Sequence, residues 1–264
     1  MLNEKQPIGV MDSGIGGLTV VRELQRILPG EDIIYFGDSA HCPYGNKTSD
    51  QIFELSRNML NFLGNHEVKC VAVACNTIST LADRLRPCFD FRIISIVEEA
   101  AKYVIREKLE AVGLIGTEFT VASSKYDELI HRGNPSCRVI GKGSPLLAAL
   151  VDRGDFNRHD INLEITTQVD QILSREQVGH LILGCTHYPI VEENFRECYP
   201  SLALINPAQE QAKAVESYLA AENARNRQER GSFTICTSGD PRVYVDVSKR
   251  LGLFEPTEIK TVQI

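Results

Sequence analysis

The chain has 264 residues, of which 43% are hydrophobic and 24% are charged, with 19 Gly and 11 Pro. These values are typical of a packed globular protein and exclude a disordered chain or a fibrous repeat. The 28 Lys and Arg against 35 Asp and Glu give a net charge of −7 without any basic block, so we expect no nucleic-acid partner. No apolar run approaches the roughly 18 residues of a membrane span, and we expect no membrane partner.

The first residues, MLNEKQP, leave no room for a signal peptide before the first apolar run. Eight cysteines are scattered along the chain without a CxxC pair. A chain of this length buries a sizeable core without disulfides, so free thiols in a reducing compartment fit best. The composition therefore predicts a cytoplasmic protein.

Short apolar runs alternate with amphipathic stretches, which predicts an α/β fold of parallel strands joined by crossover helices. The runs are rich in Val, Ile and Leu, as expected of strands buried on both faces. In chain order, the predicted strands are Ile8–Met11, Asp32–Phe36, Cys70–Ala74, Arg92–Ile96, Ala111–Ile115, Arg138–Gly141, His180–Leu183, Ala203–Ile205 and Ser232–Cys236. Helices are predicted at Val20–Ile27, where Leu28-Pro29-Gly30 is a stop signal, and at Ser49–Gly64 and Asn162–Ser174.

Three segments of the first part recur in the same order in the second part. IGVMDSG, IIYFGDS and VAVACNT are followed by VGLIGTEFT, RVIGKGS and LILGCTH. Asp12 and Thr117 lie 105 positions apart, and Cys75 and Cys185 lie 110 apart. A repeat of this length predicts two similar α/β lobes rather than a solenoid. Because ligands bind beyond the carboxyl ends of strands in open α/β sheets, two facing lobes would place Cys75 and Cys185 on opposite walls of one cleft.

Cys75 and Cys185 each stand where a buried strand ends, next to a predicted helix N-terminus. Backbone N–H groups and the helix dipole at such a place lower the pKa of a thiol and favour the thiolate. A single cysteine there is more often a small core residue, but two at matching places of a duplicated pattern favour a functional pair. Five other cysteines lack this context and are predicted to have only a packing role: Cys70, Cys88, Cys137, Cys198 and Cys236.

Asp12 ends the first predicted strand in the segment DSGIGG. Its glycines let the backbone approach a ligand closely, and the following helix N-terminus can hold a carboxylate or a phosphate. A dinucleotide fingerprint is not present, because its last glycine position is Thr19, and GKGS at 141–144 is not a Walker A loop. For Asp12 alone, a plain helix N-cap is the alternative.

His187 lies two residues after Cys185 and is placed to assist proton transfers of that thiol, although a lone histidine is more often structural. Pro43-Tyr44-Gly45 is typical of a turn. No metal site is predicted, because no known zinc ligand set has the spacing of His41, Cys42, Cys185 and His187.

A pair of opposed thiols suits the inversion of a stereocentre, in which one face loses a proton and the other face gains one. One thiolate acts as the base and one thiol as the acid, and the two exchange roles in the reverse direction. Backbone N–H groups and Asn or Thr side chains at the strand ends would meet the negative charge that develops on the substrate. No Lys stands in a pyridoxal-phosphate context, so the predicted route needs no cofactor.

The chain resembles the glutamate racemases of the cofactor-independent aspartate/glutamate racemase superfamily. The resemblance extends from residue 8 to about residue 240. It rests on DSGIGGLTV (12–20), GDSAHCPYG (37–45), VACNT (73–77), the GT, TV, S and Y of 116–126, GCTHYP (184–189) and TSGD (237–240). The combination of DSGIGG, PYG, ACNT and GCTHYP in this order is highly specific.

The resemblance implies roles for individual residues. Cys75 and Cys185 would be the catalytic acid/base pair, with Asp12 assisting Cys75 and His187 assisting Cys185. The substrate's amino and carboxylate groups would be held by Asp12, Ser13, Tyr44, Gly45, Asn76, Thr77, Thr186 and His187, with Thr117 and Thr120 as further contributors. The implied reaction interconverts L-glutamate and D-glutamate, supplies D-glutamate for peptidoglycan synthesis, and is carried out by a homodimer without cofactor or metal.

The resemblance also implies a domain organisation. The family fold has two α/β lobes of mainly parallel sheets flanked by helices, related by a pseudo-twofold axis, with the active site in the cleft between them. The C-terminal segment returns to complete the first lobe, so Ser232–Cys236 belongs with the N-terminal half. The lobes are therefore expected at 1–97 plus 210–264 and at 98–209.

The chain departs from the family pattern at three places. Asp152 stands where a VE-x-G segment usually has Glu, Ser144-Pro145 replaces a CP pair, and LINPAQEQA (204–212) stands where LIDSGAETA is common. The Asp152 carboxyl is one methylene, about 1.5 Å, shorter, and about 1 Å of misplacement can change a rate by orders of magnitude. Asp152 therefore bears on the outer cleft contacts and on the rate.

Two other functions stay open from the sequence. ACNT and GCTHYP do not separate glutamate from aspartate or another small amino acid, although DSGIGG and PYG favour glutamate. A non-catalytic, glutamate-binding regulatory protein could keep this fold, but the intact Cys75, Cys185, Asp12 and His187 argue against it. A single-cysteine decarboxylase of the superfamily would lack one of the thiols.

Overall fold

The computed structural model describes residues 2–154 and 157–263. Its strands are β1 (Ile8–Asp12), β2 (Ile33–Gly37), β3 (Cys70–Val73), β4 (Arg92–Ser95), β5 (Ala111–Gly116), β6 (Arg138–Gly143), β7 (His180–Gly184), β8 (Ala203–Ile205), β9 (Phe233–Thr237) and β10 (Glu258–Thr261). They form two sheets, with strand orders β10-β9-β2-β1-β3-β4 and β6-β5-β7-β8. Every pairing among these strands is parallel.

Helices connect the strands. The α-helices of the described residues are α1 (Leu18–Ile27), α2 (Ser49–Gly64), α3 (Asn76–Ser79), α4 (Ala82–Leu85), α5 (Ile96–Arg106), α6 (Glu118–Ala122), α7 (Lys125–Gly133), α8 (Leu147–Asp152), α9 (Arg158–Leu173), α10 (Glu192–Cys198), α11 (Pro207–Ala221) and α12 (Arg242–Leu251). Single 3₁₀ turns occur at Ser39–His41, Tyr44–Asn46, Arg86–Cys88 and Tyr188–Val191. None of the described helices is both long enough and apolar enough to cross a bilayer.

The two sheets repeat one topology. The order β2-β1-β3-β4 in the first sheet matches β6-β5-β7-β8 in the second. The repeated sequence segments therefore occupy equivalent strands, and β3 and β7, which precede Cys75 and Cys185, lie at equivalent positions beside β1 and β5. This confirms the predicted α/β fold with two similar lobes.

Three apolar clusters cover the sheets. The largest joins them through α5 and α11 and includes Val10 of β1, Leu114 of β5 and Val215 of α11. A second cluster packs α2 against the first sheet, and a third packs α9 against the second sheet. Because helices cover both faces, inner strands such as β3 and β5 are apolar throughout and show no period of two.

All nine predicted strands are present, with ends within two residues of the prediction. The sequence did not predict β10, which pairs only with β9 at the edge of the first sheet. Charged Glu258 and Lys260 alternate with Ile259 there, so the segment has no apolar run. Strand β9 pairs with β2, which places 233–237 in the sheet of the N-terminal half as the resemblance implied. The lobe boundaries at 97/98 and 209/210 stay a prediction.

The predicted helices differ from the structure only in where they begin or end. Helix α2 has the predicted bounds and begins with a capping box, in which Thr48 and Gln51 each bond the other's backbone N–H. Helix α1 begins two residues before the predicted Val20. Helix α9 begins four residues before the predicted Asn162, because Asn157 caps it by accepting a hydrogen bond from the backbone of His159.

A buried ion pair fastens the base of the first sheet. Lys69 Nζ lies 2.5 Å from Glu31 Oε2, and both side chains are buried. The same ammonium donates to the backbone carbonyls of Glu4 and Ala224, each at 2.9 Å. Glu31 also accepts a hydrogen bond from the backbone N–H of Asn226. The pair thus ties the N-terminal segment and the segment before β9 to strands β2 and β3.

We expect Lys69→Met to lower the free energy of unfolding by about 3–5 kcal/mol, because it leaves the Glu31 carboxylate buried without a cation. The measurement is urea unfolding followed by circular dichroism. The control is Arg57→Ala, which breaks the exposed Arg57–Glu54 pair and should cost no more than about 1 kcal/mol. Equal unfolding midpoints for the two variants would contradict the structural role assigned to Lys69.

Candidate active site

A cavity of about 460 Å³ opens where the carboxyl ends of the two sheets meet. Strand-end residues of both sheets line it. Of the residues singled out in the sequence, the cavity wall contains Ser13, Tyr44, Gly45, Cys75, Asn76, Thr77, Thr117, Cys185, Thr186 and His187. A larger crevice of about 560 Å³ at the base of the first sheet has no cysteine or histidine in its wall.

Cys75 lies two residues after the end of β3 and is the N-cap of α3, with only 6% of its surface exposed. Its sulfur lies 3.5 Å from Ser13 Oγ and accepts a hydrogen bond from the backbone N–H of Ile78. Burial, followed by the negative charge of Asp12, raises the pKa of Cys75 to about 12. The predicted lowering is therefore wrong for Cys75: the Ser13 and Ile78 hydrogen bonds act in the predicted direction, but loss of water around the sulfur outweighs them.

Cys185 directly follows β7 and is 5% exposed. Its sulfur lies 3.5 Å from Nδ1 of His187, and Nε2 of the same ring lies 2.8 Å from Asp152 Oδ1. Burial opposes the charged form of His187, but Asp152 and Cys185 together raise the pKa of His187 well above its usual value. A doubly protonated ring can donate one N–H to the Asp152 carboxylate and the other to the Cys185 sulfur.

Asp152 belongs to α8 and forms the outer end of this chain of contacts. Burial would raise the pKa of Asp152, but the imidazolium of His187 outweighs burial and lowers it. From the sequence, Asp152 was a departure from the family pattern that bears on the outer cleft contacts and the rate, but its pairing with His187 was not predicted. The structure shows that the shorter carboxyl still reaches His187, so the two form a close ion pair beside Cys185.

Asp12 lies fully buried behind the cavity wall and does not line the cavity. Its carboxylate accepts a hydrogen bond from the backbone N–H of Gly14 at 3.0 Å and one from the hydroxyl of Thr186 at 3.1 Å. Burial raises the pKa of Asp12 to about 6, and the charge of His187 limits the rise. The N-cap alternative is wrong, because Gly17 occupies that position of α1.

The glycines of DSGIGG allow the two lobes to approach each other. A Cβ on Gly16 would lie 2.4 Å from Thr186 Oγ1 and 2.8 Å from His187 Nδ1. A Cβ on Gly17 would lie 2.6 Å from the Cβ of Asp12. The sequence predicted that these glycines let a ligand approach the backbone. At Gly16 and Gly17, side chains of the protein itself lie against the backbone instead.

Three threonine hydroxyls link the lobes on the other side of the cavity. Thr77 Oγ1 lies 3.0 Å from Thr117 Oγ1 and 3.4 Å from Thr120 Oγ1, and the last two lie 2.8 Å apart. Thr117 caps α6 by accepting a hydrogen bond from the backbone of Thr120. Thr120 is buried behind Thr77 and Thr117 and, like Asp12, does not line the cavity.

Tyr44 is held by a buried carboxylate. Its hydroxyl donates to Asp38 at 2.6 Å, and Asp38 also accepts from Ser238 at 2.5 Å and contacts Nδ1 of His41 at 2.8 Å. The TSGD segment that follows β9 therefore supports a cavity residue indirectly. Within residues 2–154 and 157–263, no group of three or more His, Cys, Asp or Glu side chains could hold a metal ion.

Several wall residues were not predicted as site residues from the sequence. They are Cys42, Pro43, Asn46, Glu118, Ser144, Pro145, Leu146, Ala148, Ala149 and Arg153. Most follow β6, the strand equivalent to β2, and the segment after β2 contributes Tyr44. The internal repeat thus contained a signal for this part of the wall, since equivalent strands end at equivalent edges of the two sheets.

The arrangement can carry out proton transfer on both faces of a bound molecule. Two buried thiols enter one cavity from different sheets, and their neighbours differ: a carboxyl and a hydroxyl near Cys75, an imidazolium and a carboxylate near Cys185. The rest of the wall supplies hydroxyl and amide groups that can bind a small polar molecule.

Comparisons with known proteins agree with this geometry. A family profile described as Asp/Glu/Hydantoin racemase matches residues 8–215. The chain is 33% identical over 253 residues to the glutamate racemase of Thermoanaerobacter pseudethanolicus, covering 94% of each chain. Its fold matches the crystal structure of Francisella tularensis glutamate racemase in complex with D-glutamate, with a TM-score of 0.91, 32% identity and 98% of each chain covered.

A second solved structure is equally similar. The RacE1 isoform of glutamate racemase from Bacillus anthracis matches with a TM-score of 0.93 and 28% identity over 99% of each chain. The chain therefore belongs to the Asp/Glu/hydantoin racemase family, within its group of glutamate racemases.

Proposed function

We propose that this protein interconverts L-glutamate and D-glutamate by two-base proton transfer at the α-carbon, with Cys75 and Cys185 as the acid and base. The observation that carries the proposal is the entry of two buried thiols into one cavity from equivalent strand ends of two sheets. The similarity to a racemase solved with D-glutamate supports the choice of substrate.

The two thiols have unequal surroundings in the free protein. Burial holds the pKa of Cys75 near 12, so Cys75 rests as a thiol and can donate a proton. On the other side, the His187 imidazolium can stabilise a thiolate at Cys185, and this thiolate becomes a thiol when it takes the proton from the α-carbon. After one turnover the protonation states of the two sulfurs are exchanged, and this state accepts the opposite enantiomer.

The remaining predicted site residues bind or support. Ser13, Tyr44, Gly45, Asn76, Thr77, Thr117, Thr186 and His187 line the cavity and are proposed to hold the amino and carboxylate groups of glutamate. Asp12 and Thr120 lie behind the cavity wall. Asp12 accepts a hydrogen bond from Thr186 and its charge raises the pKa of Cys75, and Thr120 is hydrogen-bonded to Thr117.

The wider role follows from the family resemblance. We propose that the D-glutamate formed serves peptidoglycan synthesis in the cytoplasm and that the chain acts as a homodimer, which light scattering on the purified protein measures. We keep the lobes at 1–97 plus 210–264 and at 98–209, which agrees with the membership of β9 and β10 in the first sheet.

We expect Cys75→Ser and Cys185→Ser each to reduce racemisation of glutamate by roughly 10²–10⁴-fold or more, because each removes one of two proton-transfer groups. The measurement is chiral chromatography of glutamate after incubation with L-glutamate and, separately, with D-glutamate. The matched control is Cys137→Ser, a buried cysteine outside the cavity, which should keep the wild-type rate.

Parallel incubations of the wild type with L-aspartate test the substrate. Faster turnover of aspartate than of glutamate would replace the proposed substrate with the smaller amino acid. Binding of glutamate without any change of chirality would favour a regulatory protein. A serine variant of Cys75 or Cys185 that racemises at the wild-type rate would contradict the two-thiol mechanism.

We expect Asp152→Asn to shift the alkaline limb of the pH profile of kcat/KM to lower pH. In the wild type, Asp152 keeps the pKa of His187 well above its usual value, so the imidazolium persists through neutral pH. Without the carboxylate, burial lowers the pKa of His187, and the ring loses its charge at a lower pH. Asp152→Glu keeps a carboxylate and should keep the wild-type profile; an unmoved limb in Asp152→Asn would contradict the role of the pair.

A further inference from the structure

The side-chain amide of Asn76, a residue of the cavity wall, has a buried donor without a hydrogen-bond partner among the described residues. Asn76 follows Cys75, begins α3, lines the cavity and is only 2% exposed. Its Oδ1 accepts a hydrogen bond from the hydroxyl of Tyr126 at 2.7 Å. Its Nδ2 is buried and has no hydrogen-bond partner among the described residues. Buried amide groups are nearly always hydrogen-bonded. An unpaired donor on a residue of the cavity wall therefore points to a ligand that accepts a hydrogen bond.

Tyr126 reaches Asn76 from an element of the second sheet's half of the fold: α7 lies between β5 and β6, whereas Asn76 follows β3 of the first sheet. Tyr126 lies on α7, it is fully buried in the apolar cluster that joins the two sheets, and it is the last residue of the GT, TV, S and Y segment. Burial, and then the charge of Cys185, raises the pKa of Tyr126 above its usual value, so its O–H group is retained. No step of the proposed racemisation uses this hydroxyl.

We propose that Tyr126 is a positioning residue, which fixes the Asn76 amide so that its N–H₂ group faces the cavity and receives a carboxylate of the substrate. The inference rests on the proposed function and adds a residue that selects what the site binds. When the phenol donates to Oδ1, the amide oxygen is engaged on the Tyr126 side and both N–H groups remain for the cavity.

The opposite orientation of the amide would bind a different group. It would turn the oxygen towards the cavity, where it would repel a carboxylate and suit the ammonium of an amino acid. The hydroxyl of Tyr126 therefore decides between two ligand chemistries next to Cys75. Because α3 follows a strand of the first sheet and α7 connects two strands of the second, this choice also depends on how the two sheets and their helices are packed together.

Two substitutions at Asn76 distinguish the orientations. Asn76→Asp offers only oxygens to the cavity, whereas Asn76→Ala offers neither donor nor acceptor. We expect Asn76→Asp to bind D-glutamate about tenfold or more weakly than the wild type, and more weakly than Asn76→Ala, in isothermal titration calorimetry. Binding by Asn76→Asp as tight as that of the wild type would overturn the proposal, because it would show that an oxygen faces the ligand.

Tyr126→Phe tests the positioning itself, because it keeps the ring and removes the donor. We expect KM for both enantiomers to rise about three- to tenfold with little change in kcat, and no further rise when Tyr126→Phe is added to Asn76→Ala. The control is Tyr199→Phe, which loses a hydrogen bond to Asp170 far from the cavity and should keep wild-type kinetics. An unchanged KM, or an equal rise in the Asn76→Ala background, would overturn the proposal.

A measurement without substrate separates this inference from the proposed function. In ¹⁵N-labelled wild type, the side-chain amide protons of Asn76 should show no strong nuclear Overhauser effect to the ring of Tyr126, because they face away from it. A strong effect would overturn the orientation even if the wild type racemises glutamate. If the wild type does not racemise glutamate and the effect is absent, the proposed function fails while the orientation stands.

Discussion

The contact between the DSGIGG loop and the Thr186-His187 segment holds the two halves of the site together. Gly16 leaves room for Thr186 and His187 where a Cβ would lie 2.4 Å and 2.8 Å from their side chains. Across this contact, Thr186 donates to Asp12 and Thr19 donates to the carbonyl of Thr186. Because the lobes meet without a gap here, both thiols border one cavity and are themselves almost fully buried.

Burial of the ionisable side chains explains the electrostatics of the site. In such surroundings a lone charge is unfavourable, so the pKa of Cys75 and the pKa of Asp12 both rise. His187 keeps its charge because Asp152, 2.8 Å away, and Cys185 together outweigh burial. Cys75 and Cys185 follow equivalent strands, but their sulfurs have different neighbours. The duplicated fold supplies the symmetry of position, and the side chains around each sulfur supply the difference in chemistry.

The sequence predicted what depends on local pattern. Buried parallel strands are continuous apolar runs, so the sequence predicted nine strands and their repeated order. The edge strand β10 contains charged residues and was not predicted. The strand-end cysteines were found because equivalent strands end at the cavity. The family resemblance supplied residues such as Tyr44 and Thr117, which pattern alone does not mark.

What the sequence did not predict depends on contacts between distant segments. The helix N-terminus beside Cys75 was visible in the sequence, but the burial that outweighs it was not. The pairing of Asp152 with His187 joins residues 35 positions apart and required the structure. The same holds for Tyr126, whose hydroxyl meets Asn76 across 50 positions and both lobes.

The central claim is that protons leave and enter the α-carbon on opposite faces through two different sulfurs. The most direct test converts unlabelled L-glutamate in D₂O and stops the reaction after a few per cent of turnover. The account predicts that the D-glutamate formed carries deuterium at Cα while the remaining L-glutamate keeps its proton. Product that retains the original proton would show that a single group removes and returns it, and would contradict the account.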